Sequence, residues 1–417
     1  MLTFIFNLQV LFCLFFFLKK IIHNLPQLKK IFFYVIFLKL ILILFSDYLP
    51  ILDYGMSKIW EIKAYEFFLY RQNMGAIQYP EIVYTYSFIV SYIYEIIGRN
   101  PKVIMLIGVF FSILTSVIAY YLTKIIYNSK KISKNIFIII SFYPVLVNYS
   151  ILTMREVYIV FFLILQFFLF SKYFVCKTKK KYFFFISSIL VGYAHYKLHG
   201  ALVVVSFLFF IFFFSNELSR FKFLKIRTRI VSFIIILFLF FFILVFFIYI
   251  IPKVSYINQI HFASLLELNF NQLTNKLYYY QTGIASYPDF LIPSLNNKYE
   301  FIILIPFRIV YFLLSPFFWD IKKFTHILGY IDGFFYLFII YLLISKRKFI
   351  FQKKIIVYFI ITLIILVIIF SHGTGNFGSA IRHRAKFLPL FCIITAPYLS
   401  FWFDKLILQL KKLTKIY

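Results

Sequence analysis

Acidic residues are scarce in this chain: 14 among 417, against 44 lysines and arginines, and charged residues of both signs make up only 14%. A soluble protein of this length needs far more polar surface, so a water-exposed globular fold is excluded. Cysteine is nearly absent as well. Cys13 and Cys392 lie in apolar runs and Cys176 in a lysine-rich loop, which gives neither a disulfide framework nor a metal-binding spacing. The first apolar run has no basic region ahead of it and no small-residue cleavage site after it, so a cleaved signal peptide is not expected. What is abundant is apolar: 63% of the residues, in long runs along the whole length. The expected fold class is all-α, a polytopic membrane helical bundle forming one integral domain over residues 1–417. The richness in Phe, Ile, Lys and Tyr follows AT-rich codons and carries no functional weight by itself.

A net charge of +30 could suit nucleic acid. The basic residues instead cluster in short loops, which points to membrane topology and to no nucleic-acid partner. Strong apolar spans fall near residues 103–123, 135–149, 157–171, 183–197, 201–215, 230–251, 327–344, 355–370 and 385–403, with weaker ones near 4–18 and 31–46. Dense positive charge marks six segments: 19–30, 124–134, 172–182, 216–229, 345–354 and the C-terminal tail. Positive residues stay in the cytoplasm, so all six belong on that side. This holds if 81–98 and 301–318 do not cross. The first carries Glu81, Glu95 and many tyrosines, and suits an interfacial helix. The second holds Arg308 between Pro306 and Pro316, and suits an interfacial or re-entrant element. Ten or eleven transmembrane helices result, with the C-terminus cytoplasmic and interfacial helices in the long outer loops 47–102 and 252–326. Residues 327–417 form the C-terminal helices. The acids add separate information: only Glu217 and Asp404 fall on the basic side, and the other 12 lie on the outer side or at its edge.

The outer side therefore holds the groups that could do chemistry. Asp47 and Asp53 follow a span directly. A carboxylate there can act as a general base or hold a divalent cation, and Asp47 also suits a helix cap. Glu61 and Glu66 belong to a surface helix over 56–73, where they are expected to do no more than solvate it. Arg155 and Glu156 stand together at the outer start of a span, as a phosphate-binding fork or as a structural ion pair. His195 and His199 are four apart and expected on one helix face, with Lys197 between them. No HEXXH pattern and no third ligand accompany them, so a cationic pocket or a filled tight turn is favoured over a metal. Lys39 is the main ionisable residue inside an expected span and can snorkel to the interface. The tyrosine-rich stretch 278–297 suits an interfacial belt or a sugar-stacking surface.

The stretch 373–384, GTGNFGSAIRHR, has dinucleotide-loop glycine spacing. It lacks the preceding strand and the following acid that such a loop needs. Its glycines suit a tight turn or close helix approach. Arg382, His383 and Arg384 then sit at the mouth of the last span, to bind an anion or to anchor the helix end at headgroups.

The order of these features resembles the GT-C glycosyltransferases, polytopic enzymes that use polyprenyl-phosphate-linked sugars. The resemblance covers roughly residues 31–215. It rests on an Asp after an early span, a long outer loop, the turn Gly98-Arg99-Asn100 into the next span, and the stretch carrying Pro144, Ser150, Arg155 and Glu156. The stretches Ser315-Pro316-Phe317-Phe318-Trp319 and Gly375-Asn376-x-Gly378 to Arg382-x-Arg384 look like those of bacterial membrane proteins from surface-polysaccharide pathways. The resemblance implies an inverting glycosyltransferase of the cell membrane with its active site on the outer face. Asp53 or Asp47 would be the catalytic base. Arg155, Lys197, Arg308, Arg382 and Arg384 would hold the phosphate, with Glu156, His195, His199 and His383 in support. The implied partners are a polyprenyl-phosphate-linked sugar, a glycan or lipid-linked acceptor, and membrane lipid. The chain lacks the family's paired Asp-Glu in the first loop. A polysaccharide repeat-unit polymerase is the main alternative, and a lipid-linked sugar flippase the next.

Overall fold

A computed structural model of the chain describes residues 19–20, 23–45, 56–74, 84–218, 286–291, 300, 303–322 and 324–413. The spans expected at 4–18 and 230–251 lie outside these residues, as do Asp47 and Asp53. Within them the protein is helical. The helices are α1 (Lys29–Leu44), α2 (Met56–Met74), α3 (Thr85–Ile97), α4 (Pro101–Tyr127), α5 (Lys130–Phe142), α6 (Pro144–Ser150), α7 (Glu156–Val175), α8 (Lys180–Leu198) and α9 (Val203–Leu218). After the undescribed stretch come α10 (Ile305–Leu314), α11 (Phe324–Ser345), α12 (Lys354–His372), α13 (Phe377–Ala385), α14 (Leu388–Ile394) and α15 (Ala396–Leu413).

Among the described residues, 5 helices are long and apolar enough to cross a membrane, or up to 7 if two bent pairs count as one span each. The longest is α4. Pro101 opens it, where the missing N–H costs nothing, and Asn128 in the left-handed region closes it at φ 52°. Its 27 residues reach about 40 Å, enough for the ~30 Å hydrocarbon core. Helices α3 and α10, with 13 and 10 residues, are too short to cross.

Two expected spans are broken rather than straight. The run 135–149 divides into α5 and α6 with a 59° bend, and 385–403 divides into α14 and α15 with a 90° bend. Proline causes the first break: Pro144 has no N–H to donate to the preceding turn. The second helix begins at Ala396, next to Pro397, and repeats the pattern.

Contacts sort the loops onto two ends of the bundle. At one end Lys131 pairs with Asp404 at 2.8 Å and Lys181 with Glu217 at 2.9 Å. Lys353 donates to the Ile126 carbonyl, and Lys354 donates to Asn216 at 3.1 Å. Gln27 reaches the Tyr120 hydroxyl near the same end of α4. The described parts of all six basic segments therefore meet there. At the opposite end Thr153 donates to the Ser57 carbonyl at 3.1 Å, and Arg155 donates to the Leu198 carbonyl at 2.9 Å. Tyr287 N–H donates to the Gly375 carbonyl at 3.0 Å. The connections expected on the outer side thus share one end.

Glycine allows close packing at that end, on α11. A Cβ on Gly333 would lie 2.3 Å from the Leu314 carbonyl oxygen, and one on Gly329 would lie 2.5 Å from Ile381. Helices α10 and α13 can approach α11 only because those side chains are absent. Gly373 does none of this, since a Cβ there would meet only ordinary contacts.

Candidate anion site

The stretch 373–384 forms a short loop and then α13. Asn376 caps the helix, accepting from Ser379 N–H at 2.7 Å. Helical periodicity then separates the charges. Arg384 turns to one side, while Arg382 and Lys386, four apart, share the other.

Arg384 is fully buried. It donates to Asp332 at 2.6 Å and to the carbonyls of Leu313 at 2.9 Å, Ser315 at 2.6 Å and Gly329 at 3.0 Å. Tyr143 donates its hydroxyl to the other oxygen of Asp332. Arg308 is also fully buried. It donates to the carbonyls of Leu291, Ser371, His372 and Thr374, and among the described residues it has no carboxylate partner. Both guanidiniums are spent on tying the protein together. Lys197 is likewise not gathered with the other cations: its ammonium lies 5.3 Å from the Tyr193 ring and 5.9 Å from Tyr196.

The cluster that does form centres on Glu156, whose side chain is 1% exposed. Arg382 Nε lies 3.6 Å from its carboxylate and Lys386 Nζ lies 3.9 Å away. Arg155, its chain neighbour, stacks 4.7 Å over the Trp60 ring. Among the described residues neither carboxylate oxygen makes a hydrogen bond, nor does Arg382 Nε. Three basic side chains from two separate chain segments thus stand around one carboxylate, and the two arginines alone leave positive charge in excess. His383 accepts from Lys386 at 2.8 Å, and His199 packs edge-on against His383 at 5.4 Å. Burial first, then the nearby Lys386, holds both imidazoles well below their usual pKa, so both are neutral at pH 7.

Glu156, Arg382 and Lys386 line a recess together with Ser112 and Thr115 of α4. Its volume of about 10 Å³ has room for about one water.

Several expectations change here. His195 and His199 do not share a helix face. His199 leaves the helix in extended backbone at φ −157°, and His195 turns back to the Leu202 carbonyl at 3.1 Å. Among the described residues no group of His, Cys, Asp or Glu could hold a metal. Glu61 does not merely solvate α2: it accepts both arms of Arg99, at 2.9 and 2.8 Å, and the Tyr94 hydroxyl at 3.2 Å. Glu66 does stay at the surface, paired with Lys63. Lys39 does not snorkel: it is 1% exposed and donates to Ser112 at 2.6 Å. Sequence reasoning passed over Lys386, although its spacing of four from Arg382 was the available signal.

No family model matches the chain, and neither the curated proteins nor the solved structures show a match.

Proposed function

We propose that this protein is an integral membrane glycosyltransferase of the cell envelope that takes a sugar from a polyprenyl-phosphate-linked donor. The acceptor is a glycan or a lipid-linked glycan, and the site faces outward. One observation carries this reading: Arg155, Arg382 and Lys386 converge on the buried Glu156 with charge in excess, which suits an anionic leaving group. The positive-inside rule supports the orientation, because the described parts of the basic segments gather at the other end.

The chemistry is an inverting displacement. An acceptor hydroxyl attacks the anomeric carbon as the bond from that carbon to the phosphate oxygen breaks. The phosphate leaves with the bonding pair, and its growing charge falls to the cations. The hydroxyl proton goes to a carboxylate, Asp53 or Asp47. Arg308 and Arg384 serve the scaffold.

The test is transfer in membranes from radiolabelled polyprenyl-phosphate sugars. Arg382→Gln is expected to lower turnover by about a hundredfold. Absence of transfer from every polyprenyl-linked donor sinks the reading. A repeat-unit polymerase is the second reading, favoured by a site built mainly of cations. It survives Asp47→Asn and Asp53→Asn, whereas a base-dependent transferase loses activity in one of them.

A further inference from the structure

The basic groups around Glu156 lie well below the start of α4. A Cβ on Gly108 would stand 3.7 Å from Val157, so the first turn of α7 is level with Gly108. That is about 10 Å along α4 from Pro101. The two helices α2 and α3 fill the space above. Thr153 donates to the Ser57 carbonyl at 3.1 Å, and the Trp60 ring lies 4.7 Å from the Arg155 guanidinium. Tyr86 packs 5.5 Å from Tyr158 of α7. The recess beside Glu156 takes about one water, and a phosphate with its four oxygens does not fit. The anion site is therefore shut, and something must lift before a ligand enters.

Three features make α2 and α3 the part that lifts. The two helices hold to each other: Ser87 donates to the Trp60 carbonyl at 2.8 Å, Arg71 to Ser91 at 2.6 Å and Tyr94 to Glu61 at 3.2 Å. They join α4 through Gly98, at φ 74° and with nothing within 4 Å of the place a Cβ would take. A glycine there can change its dihedrals without displacing a neighbour, as a hinge must. Arg99, the next residue, grips Glu61 of α2 with both arms, at 2.9 and 2.8 Å. That arginine side chain is 44% exposed, so water can replace the pair when it parts. Closure also leaves a polar group unpaid: Trp60 is buried, and its indole N–H has no acceptor among the described residues. The outward face of the two helices carries Ile59, Ile62, Ile89 and Ile96, all exposed, which suits movement along a membrane interface.

We propose that α2 and α3 form a lid over the anion site, hinged at Gly98, latched by Arg99 on Glu61 and closed by Trp60 on Arg155. The proposal rests on the anion-site reading and adds its regulation. A ligand enters when the latch opens, and Arg155 then turns from the indole to the anion. The apparent affinity is the intrinsic one reduced by the fraction of open protein.

Two readouts on the full-length protein in detergent test the lid, with inorganic phosphate as the probe. Replacing Trp319 and Trp402 by Phe leaves Trp60 as the single tryptophan. Acrylamide quenching of Trp60 is expected to rise at least threefold in Arg99→Gln, with Arg99→Lys between it and wild type. Calorimetry should show phosphate binding about threefold to tenfold more tightly in Arg99→Gln. For the second readout, Ser57→Cys and Thr153→Cys are combined in a chain whose Cys13, Cys176 and Cys392 are replaced by Ala, and joined by a short methanethiosulfonate cross-linker. The joined protein is expected to bind phosphate at least tenfold more weakly, and reductant should restore it. Equal binding by joined and released protein overturns the lid. So does unchanged Trp60 quenching in Arg99→Gln, or phosphate affinity equal to that of a wild type that binds. If the cysteine pair fails to fold, the Arg99 variants decide alone. Quenching that rises while no form binds phosphate keeps the lid and removes the anion-site reading.

Discussion

Arg382 and Arg384 stand two residues apart, and the structure gives them opposite tasks, so exchanging each for glutamine separates scaffold from site. Arg384 is fully covered and donates to one carboxylate and at least three carbonyls. Its removal strands Asp332 as a buried anion. Breaking one side of such a pair costs about 3–5 kcal/mol, and the orphaned carbonyls add to that. At roughly 2 °C per kcal/mol for a long chain, Arg384→Gln should melt about 6–10 °C lower in detergent. Arg382 is 15% exposed and no nearer than 3.6 Å to its acid. Arg382→Gln should therefore leave the melting temperature within about 2 °C, while phosphate binding falls about tenfold or more. The assay is thermal unfolding followed by intrinsic fluorescence, beside calorimetric titration with phosphate. Equal destabilisation by the two variants, or an Arg384→Gln protein as stable as wild type, would refute the division of labour.

Glu156→Gln removes the one acid that, among the described residues, faces the three basic side chains, so phosphate affinity should rise, by about tenfold; titration of the variant checks this. His199 and His383 have depressed pKa values in the folded protein, so the unfolded chain binds more protons below its own pKa of about 6.5. Stability is thus present above that pH and is lost as pH falls below it, by up to about 1.4 kcal/mol per histidine for each unit. Melting curves from pH 7.5 to 5 should show this, with less slope in His383→Gln. Gly333→Ala places a methyl group against the Leu314 carbonyl and should lower the melting temperature, since α10 and α11 must separate by more than a side-chain adjustment can absorb.

Much of the architecture was legible from charge alone. The described parts of the six basic segments do gather at one end, because lysines and arginines that cannot enter the apolar layer leave a mark at the loops. Less legible was how a span continues past a proline: Pro144 and Pro397 sit in runs apolar enough to pass for straight helices, and the sequence does not show how far each break turns the chain. The site was half legible. Arg155, Glu156 and Arg382 stood out as charges at span ends. Arg384 looked the same from sequence, because two basic positions two residues apart on a helix differ only in which neighbour each one faces. Asp332 is the cause of that difference, and it lies 52 residues away in the chain. Glu61 misled for a related reason. A carboxylate on a mixed-charge helix resembles a solvated one until Arg99 is folded across it.

Arg308 has a bearing beyond the loops it fastens. Among the described residues its charge is met by the carbonyls of Leu291, Ser371, His372 and Thr374, with no acid paired to it. Water and salt cannot reach it to screen its field. One such charge, felt about 10 Å away at an effective dielectric of about 20, is worth ~1.7 kcal/mol to an anion. A charge held in this way raises the local potential at that end of the bundle, undiminished inside the protein and fading within about a Debye length, ~8 Å at physiological ionic strength, once outside it.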